Sequence, residues 1–405
     1  LITLANQMDV GKLVLAGDVK QLPAIEAGKP FAQLQQHDLR QSQITENLRA
    51  QTPQMQAINR ALEQGDVAQA FAALKPATIE VAPGKIAGIA ADMWADLPKE
   101  QRDNTILLAA GRAMRSAGNA AAQASLIDRG QISARGIRLE VLDRVTVTRE
   151  GARQLKGYQE GRVVAFETNL TKQGFARGER GTVIGVRDGK VDLTMPNGEI
   201  RRFDPDRLPR NLKHDAVTIF EPKQIDLHEG DRIRWTAKDA ERGLLNGDIA
   251  HVARIDGDTI TVKAGDGQLH DLPRGDPMLE RLDLAYAINV HVAQGMTAKD
   301  GIIMMSERER MLNTSASFLV AVTRIAENAT LVTDNPSRVE RQVESRTGEK
   351  SSAIETAREN GHALPSATEK KDRELALERT PERSEPGRGS SGPDLSRDRD
   401  YDFGM

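Results

Sequence analysis

A chain of 405 residues with a formal net charge of −3, no cysteine and only 3% aromatic residues already sets limits. It is long enough for two or three domains with real cores. The absence of thiols excludes disulfides, thiolate zinc sites and thiol catalysis. The charge excludes a bulk basic surface, and the aromatic content excludes nucleic-acid binding built mainly on base stacking.

The seven histidines show no metal-ligand spacing, so no metal site is expected from them. No apolar run approaches a membrane span or opens the chain as a signal peptide. A soluble, cytoplasmic protein without membrane contact is therefore expected. The first residue is Leu1 rather than methionine, as expected of the downstream part of something longer.

In chain order, Leu1 to Met8 reads as the end of a helix. Lys12-Leu13-Val14-Leu15-Ala16 is an apolar run ended by Gly17-Asp18, the pattern of a buried parallel strand stopping at a functional edge. Ligands of open α/β sheets lie beyond such strand ends, which would face Asp18 and Gln21 toward one. A plain strand with a polar turn reads equally well. A magnesium-binding strand end reads less well, because no second carboxylate follows Asp18.

Phe31 to Asp38 is helical in pattern, and Ile44 to Arg49 predicts a second strand with Arg49 at its end. Met55, Ile58, Ala61, Leu62, Val67, Ala70, Phe71 and Leu74 fall at helical spacing around Gly65-Asp66, predicting a helix, a turn and another helix. Thr105 to Ala109 is a second buried-strand signature. A helix carrying Met114, Ala121, Ala124 and Leu126 follows and closes at Gly130.

From Leu139 to Leu282 the pattern changes to short alternating strands separated by glycine turns. The stretch repeats internally. Glu160-Gly161, Gly178-Glu179, Asp188-Gly189 and Asn197-Gly198 recur as Glu229-Gly230, Gly247-Asp248, Asp256-Gly257 and Asp266-Gly267. Such dipeptides favour tight hairpins, so each repeat predicts a small β-barrel of roughly five strands. Arg232, Arg234, Trp235, Lys238 and Arg242 give the second repeat a basic edge suited to a phosphate backbone. A solvated charged face accounts for them equally.

Gly301 to Met305 reads as a core strand, since Ser306-Glu307 lacks the aspartate of a magnesium site. A helix ending at Arg324 and a strand over Leu331 to Thr333 complete the ordered part. Beyond Ser345 the chain is rich in Glu, Arg, Ser, Pro and Gly and predicts a disordered tail.

Four ordered blocks carry a family resemblance. Gly17-Asp18-Val19-Lys20-Gln21-Leu22-Pro23, with Ala27-Gly28-Lys29-Pro30-Phe31, resembles motif III of superfamily-1 helicases in its RecD-like form. Arg49 and Pro53, ahead of the helix pair, resemble the next block, with Ala50 where glutamine is usual. Tyr286-Ala287-Ile288-Asn289-Val290-His291-Val292-Ala293-Gln294-Gly295-Met296-Thr297 resembles motif V. Its departures are Asn289 for threonine, Val292 for lysine and Ala293 for serine. Phe318 to Arg324, then Leu331 to Asn335, resembles motif VI and its trailing strand. The Thr333-Asp334-Asn335 ending is similar to that of conjugative relaxase–helicases of the MobF, TraI-like type.

The resemblance implies an α/β fold with two RecA-like, P-loop-type motor lobes. Residues 1–45 would be the end of a partial first lobe, and 46–138 with 283–340 the second. Src-homology-3-like barrel repeats would be inserted at 139–282, and 341–405 would be the tail. It implies ATP-dependent 5′→3′ translocation on single-stranded DNA during plasmid transfer.

By the same resemblance, Gln21 senses the terminal phosphate and Arg49 contacts the phosphates. Arg324 stabilises charge as the γ-phosphate bond breaks. Gln294 lies between DNA and nucleotide, and His291 and Thr297 hold the DNA backbone. Arg112 and Asn119 stand where a pair grips the strand. Without the resemblance, Arg49 reads as a solvated strand end, Arg324 as a helix-surface partner of Glu327, and Arg112 and Asn119 as surface residues.

A motor also needs a Gly-x-x-x-x-Gly-Lys-Ser/Thr loop and an acidic strand end for magnesium. Neither occurs here, and the family order puts both before Leu1. ATP and Mg2+ are thus expected only with an upstream half, and the chain alone is expected to be ATPase-inactive. Implied partners are single-stranded DNA, the upstream relaxase and motor half, and the conjugation machinery. A non-catalytic remnant, binding DNA or a partner, is the alternative that Ala50 and the motif V departures favour.

Overall fold

The computed structural model describes residues 2–18, 30–35, 41–42, 47–210, 212 and 214–348. The chain opens with two short helices, α1 (Ile2–Gln7) and α2 (Pro30–Gln35). The apolar run between them is not the expected buried strand. Leu13, Val14 and Leu15 lie in irregular backbone and are 43%, 72% and 38% exposed. No strand among the described residues pairs with the run, and without a ladder or a facing layer an apolar pentapeptide has nothing to hold it extended. The expected strand ending at Arg49 is likewise irregular over Asn47 to Arg49, and Ile44 to Glu46 lie outside the described residues.

The helix pair is α3 (Pro53–Glu63) and α4 (Val67–Leu74). Thr52 and Asp66 cap them, each side chain accepting an otherwise orphaned amide from Met55 and Gln69. Gly65 makes the turn between them at φ 77°. Next come β1 (Thr78–Glu80), α5 (Ile86–Ala95), α6 (Lys99–Asp103), β2 (Thr105–Ala109) and α7 (Arg112–Asp128).

The chain then leaves this layer for two antiparallel sheets. The first holds β3 (Gly136–Arg144), β4 (Val163–Phe166), β5 (Arg180–Arg187), β6 (Lys190–Thr194), β7 (Ile200–Phe203) and β8 (Val217–His228), in the order β3-β8-β4-β5-β6-β7. The second holds β9 (Arg232–Trp235), β10 (Ile249–Asp256), β11 (Thr259–Ala264), β12 (Leu269–Pro273) and β13 (Leu282–Leu284), in the order β12-β11-β10-β9-β13.

The repeat is preserved bond by bond. The Gly161 amide donates to the Val183 carbonyl, and 69 residues on the Gly230 amide donates to the Val252 carbonyl. Phe166 and Trp235 occupy equivalent places, donating to Glu179 and Asp248. Both copies bulge at the same point of their second hairpin strand, between Val183 and Gly185 and between Val252 and Arg254.

Returning, the chain forms β14 (Ala287–Asn289), α8 (Val290–Ala293), β15 (Ala298–Met305), α9 (Ser315–Thr323), β16 (Ile325–Thr333) and α10 (Pro336–Glu344). These complete a five-stranded parallel sheet, β1-β16-β15-β2-β14. Alternate residues face opposite sides. Leu107, Ile302 and Met304 pack with α5, α7 and Trp94, while Leu108, Ile303 and Met305 pack with α3, α4, α9 and α10.

The two antiparallel sheets differ in how they are supported. The second shares the α5–α7 core through Trp235, Ile233, Val252 and Leu282. The first joins that core at its β3–β8 edge, through Leu139, Val141, Ile225 and Leu227, and otherwise has its own core around Phe166, Phe175 and Phe203. The β-rich stretch runs from Gly136 to Leu284, slightly wider than expected. Helix α10 continues to Glu344, past residue 341 but short of Ser345, where composition puts the start of the tail, and residues from 349 on lie outside the described residues. No helix among the described residues is long and apolar enough to cross a membrane.

Candidate functional site

The end of α9 is where separate parts of the chain converge. Thr314 caps the helix by accepting the Ser317 amide, and the run ends at Arg324 just before β16. The Arg324 carbonyl accepts the Ala298 amide at 2.9 Å, tying it to the first residue of β15. Its side chain is only 4% exposed. Nη2 donates to Thr323 Oγ1 at 3.2 Å and Nη1 points to the Met296 carbonyl at 3.5 Å, while Nε has no partner.

Arg49 comes to the same place. Its Nη1 donates to the Thr323 carbonyl at 2.6 Å. The Gln51 amide donates to the Ala326 carbonyl at 2.8 Å, holding residues 49–52 along the start of β16. Burial and the Arg49 charge both lower the Arg324 pKa. Among the described residues no carboxylate pairs with either arginine. The alternative partner, Glu327, supplies only its backbone carbonyl, to Thr52. Two guanidinium groups side by side without a carboxylate form a receptor for a phosphate-sized anion.

The motif V segment links this edge of the sheet to the opposite one. Asn289 lies in register with Ala109, and Ala109 with Met304. The Asn289 Nδ2 points to the Ala109 and Ala110 carbonyls, both at 3.4 Å. Helix α8 starts there, with Val290 and Ala293 buried beneath it. Gly295 turns the chain at φ 94°, and β15 begins at Ala298, about 20 Å down the strand from Met304. His291 therefore belongs to the C-terminal edge of the parallel sheet, while the turn around Gly295 leads to the N-terminal edge and Arg324. His291, Gln294 and Thr297 are all exposed.

Other expected residues fare differently. Gln21 lies outside the described residues. Arg112, at the start of α7, is half-exposed and pairs with Asp143 at 2.8 Å. Asn119 is 3% exposed, and its amide bridges the Leu284 carbonyl and the Ala287 amide at 3.0 and 2.8 Å. It is a structural clasp, buried away from the surface that DNA would touch. The basic edge expected of the second repeat is mostly turned into the fold. Trp235 is core, Arg234 is buried beside Asp283, and Arg242 is held by Asp239 and Asp276. Of that set only Lys238 is exposed, because β9 is covered on both faces, so that Arg234 and Trp235, which point to opposite sides, are both buried.

Thr323 was missed as a site residue, although its carbonyl and hydroxyl position both arginines; the signal was its place beside Arg324. Among the described residues no group of three or more His, Asp or Glu could hold a metal ion. The arginine pair fits the phosphates of a nucleotide, while carboxylates for its magnesium are not found beside it.

This geometry now stands beside known proteins. Residues 1–78 match the family model described as an AAA domain. The chain is 24% identical over 368 residues, 80% of its length, to the multifunctional conjugation protein TraI of Escherichia coli strain K12. A second Escherichia coli TraI is 24% identical over 370 residues. The chain spans 20% of the length of each of these relatives. Among solved structures, it is similar to a Pif1 helicase from Candida albicans, at 12% identity over 71% of this chain and 55% of that one, with a TM-score of 0.34. For a Bacteroides Pif1 helicase in complex with ADP-AlF3 and ssDNA, identity is 13% over 83% and 56%, with a TM-score of 0.24. By class, this is an α/β chain with a segment matching AAA domains at its start. More narrowly, most of its length is similar to a segment of TraI.

Proposed function

We propose that the chain is the C-terminal part of an ATP-dependent helicase motor in a conjugative relaxase. In that reading residues 1–45 complete a first RecA-like lobe, 46–138 and 283–340 form the second, and 139–282 are the inserted barrels. The convergence of Arg49 and Arg324, with no carboxylate among the described residues to neutralise them, carries the reading. These arginines receive the terminal phosphates of ATP across an interlobe cleft, with Gln21 and Gln294 sensing the nucleotide. His291 and Thr297, with Arg112, hold single-stranded DNA, along which the motor moves 5′→3′. ATP and Mg2+ bind only together with an upstream half, which also carries the relaxase. The conjugation machinery is a further partner, and the setting is cytoplasmic.

The chemistry asked of Arg324 is electrostatic. Charge accumulates on the phosphoryl oxygens as the terminal bond breaks, and a fixed guanidinium stabilises it without reorganisation. With the upstream half supplied, Arg324→Ala should lower DNA-stimulated ATP turnover by about 10³-fold or more while leaving folding unchanged. Turnover equal to wild type would overturn the assignment. The chain alone should not hydrolyse ATP.

A non-catalytic DNA- or partner-binding remnant is the second reading. Val292 favours it, since it puts a 38% exposed apolar side chain where a phosphate-binding lysine is usual. Binding of oligonucleotide unchanged by Arg324→Ala, with no turnover at any stage, would select it.

A further inference from the structure

The second antiparallel sheet carries a row of basic side chains, Arg232, His251 and Lys263, that its own fold does not need. Arg232 in β9 is the direct cross-strand partner of His251 in β10, and His251 of Lys263 in β11. Directly opposed residues share a face with Cβ atoms about 5 Å apart, and like charges there are destabilising. The first sheet supplies the control. Its equivalent row, 69 residues earlier, is Val163, Thr182 and Thr194, paired in the same register. Branched, uncharged side chains thus satisfy the same scaffold position, and only the second copy replaces all three with basic ones.

The row is short of counter-charge. Among the described residues no carboxylate lies within ion-pair distance of Arg232, His251 or Lys263. The Arg232 Nε is buried without a partner. Lys99 and Asp103 of α6 flank the row, but they pair with each other at 2.8 Å. Burial and the charges of Arg232, Lys99 and Lys263 lower the His251 pKa, with Asp103 opposing.

Its place is also informative. The Arg232 carbonyl accepts the Ala285 amide just before β14, and the Asn104 carbonyl just before β2 accepts the Lys299 and Asp300 amides. The row therefore adjoins the N-terminal edge of the parallel sheet, the edge of Arg49 and Arg324. His291 and Arg112 belong to the other edge.

We propose that Arg232, His251 and Lys263, with Lys99, form a phosphate-binding row that holds a nucleic-acid backbone apart from the His291 edge. It rests on the nucleic-acid half of the function proposed above. A backbone fits because its phosphates are spaced along a line, as the three side chains are across the strands, and it needs no base stacking.

The test uses the full chain with isotope-labelled histidine, His251→Gln assigning the resonance. Oligothymidylate should raise the His251 pKa by about one unit, because a bound phosphate favours the imidazolium. Lys263→Gln and Lys99→Gln, both at exposed positions, should each weaken binding about threefold and flatten the log–log salt dependence by about 0.7. Inorganic phosphate at equal phosphate concentration should shift His251 less. An equal shift would mean a site for small phosphorylated anions and would overturn the strand. Oligothymidylate binding with His251 and both lysine variants unmoved would remove the row and leave the nucleic-acid reading standing. No binding of oligothymidylate at all would remove both.

Discussion

Arg324 and Asn119 show how differently two buried polar side chains can be surrounded once the chain is folded. Both stand at positions to which the family resemblance assigns a role, yet one ends beside a second arginine and the other becomes an internal clasp. The difference lies in what surrounds each polar group. Arg324 Nε is left without a partner and Arg49 adds charge beside it, with no carboxylate among the described residues to offset the pair. Asn119 has both amide atoms satisfied by backbone that joins the second antiparallel sheet to β14. Replacing it with alanine would leave the buried Ala287 amide and Leu284 carbonyl unpaired. Asn119→Ala should therefore lower stability by about 3 kcal/mol, read as a shifted denaturation midpoint. An unchanged midpoint would show that the clasp carries no weight.

At the scale of elements, the repeat shows how the same turn serves two environments. Gly161 and Gly230 are equivalent, with φ 85° and 94°. A Cβ on Gly161 would enter open space, while on Gly230 it would come within 2.9 Å of the Ile132 side chain and 3.4 Å of its Cα. Ile132 belongs to the link leaving α7, so the second turn is pressed against the parallel lobe. Gly161→Ala should cost about 1 kcal/mol, the strain of a left-handed residue. Gly230→Ala should cost about 1–3 kcal/mol more from overpacking. Equal midpoints for the two variants would contradict the shared core. The repeat itself was legible because glycine turns mark hairpins locally. Which copy fuses with the lobe was not, since Trp235 and Phe166 read alike until their packing partners are known.

Across the whole molecule, a buried ionic joint ties lobe to insert. Asp283 of β13 is 3% exposed and meets Arg115 of α7 at 3.0 Å, Lys223 of β8 at 2.6 Å and Arg234 of β9 at 3.5 Å. Burial pushes its carboxyl up, but the charges of Lys223, Arg115 and Arg234 outweigh it and hold the pKa below the usual carboxylate range. Its stabilising contribution is then full above the unfolded pKa, about 3.9, and is lost as pH falls through the lower folded value. Asp283→Asn should cost about 3–5 kcal/mol at neutral pH by leaving Lys223 and Arg234 without a carboxylate and Arg115 with Asp143 alone, at 3.4 Å. The gap between wild type and variant in thermal midpoint should close at strongly acid pH. A gap that persists there would rule out ionisation as its source.

What the amino-acid order determined alone was local: the capped helix pair at Thr52 and Asp66, the buried strands of the parallel sheet, the hairpin turns and their repetition. Each follows from spacing, caps or glycine conformation within a few residues of itself. The exposed run at Leu13 to Leu15 marks where that logic stops, for a strand also needs a neighbour. Only the tertiary structure decided that Arg49 meets Arg324, that Asn119 faces inward, and that Arg232, His251 and Lys263 stand in one row. Each is a contact between segments far apart in the chain, set by strand register and layer packing, which no local pattern encodes.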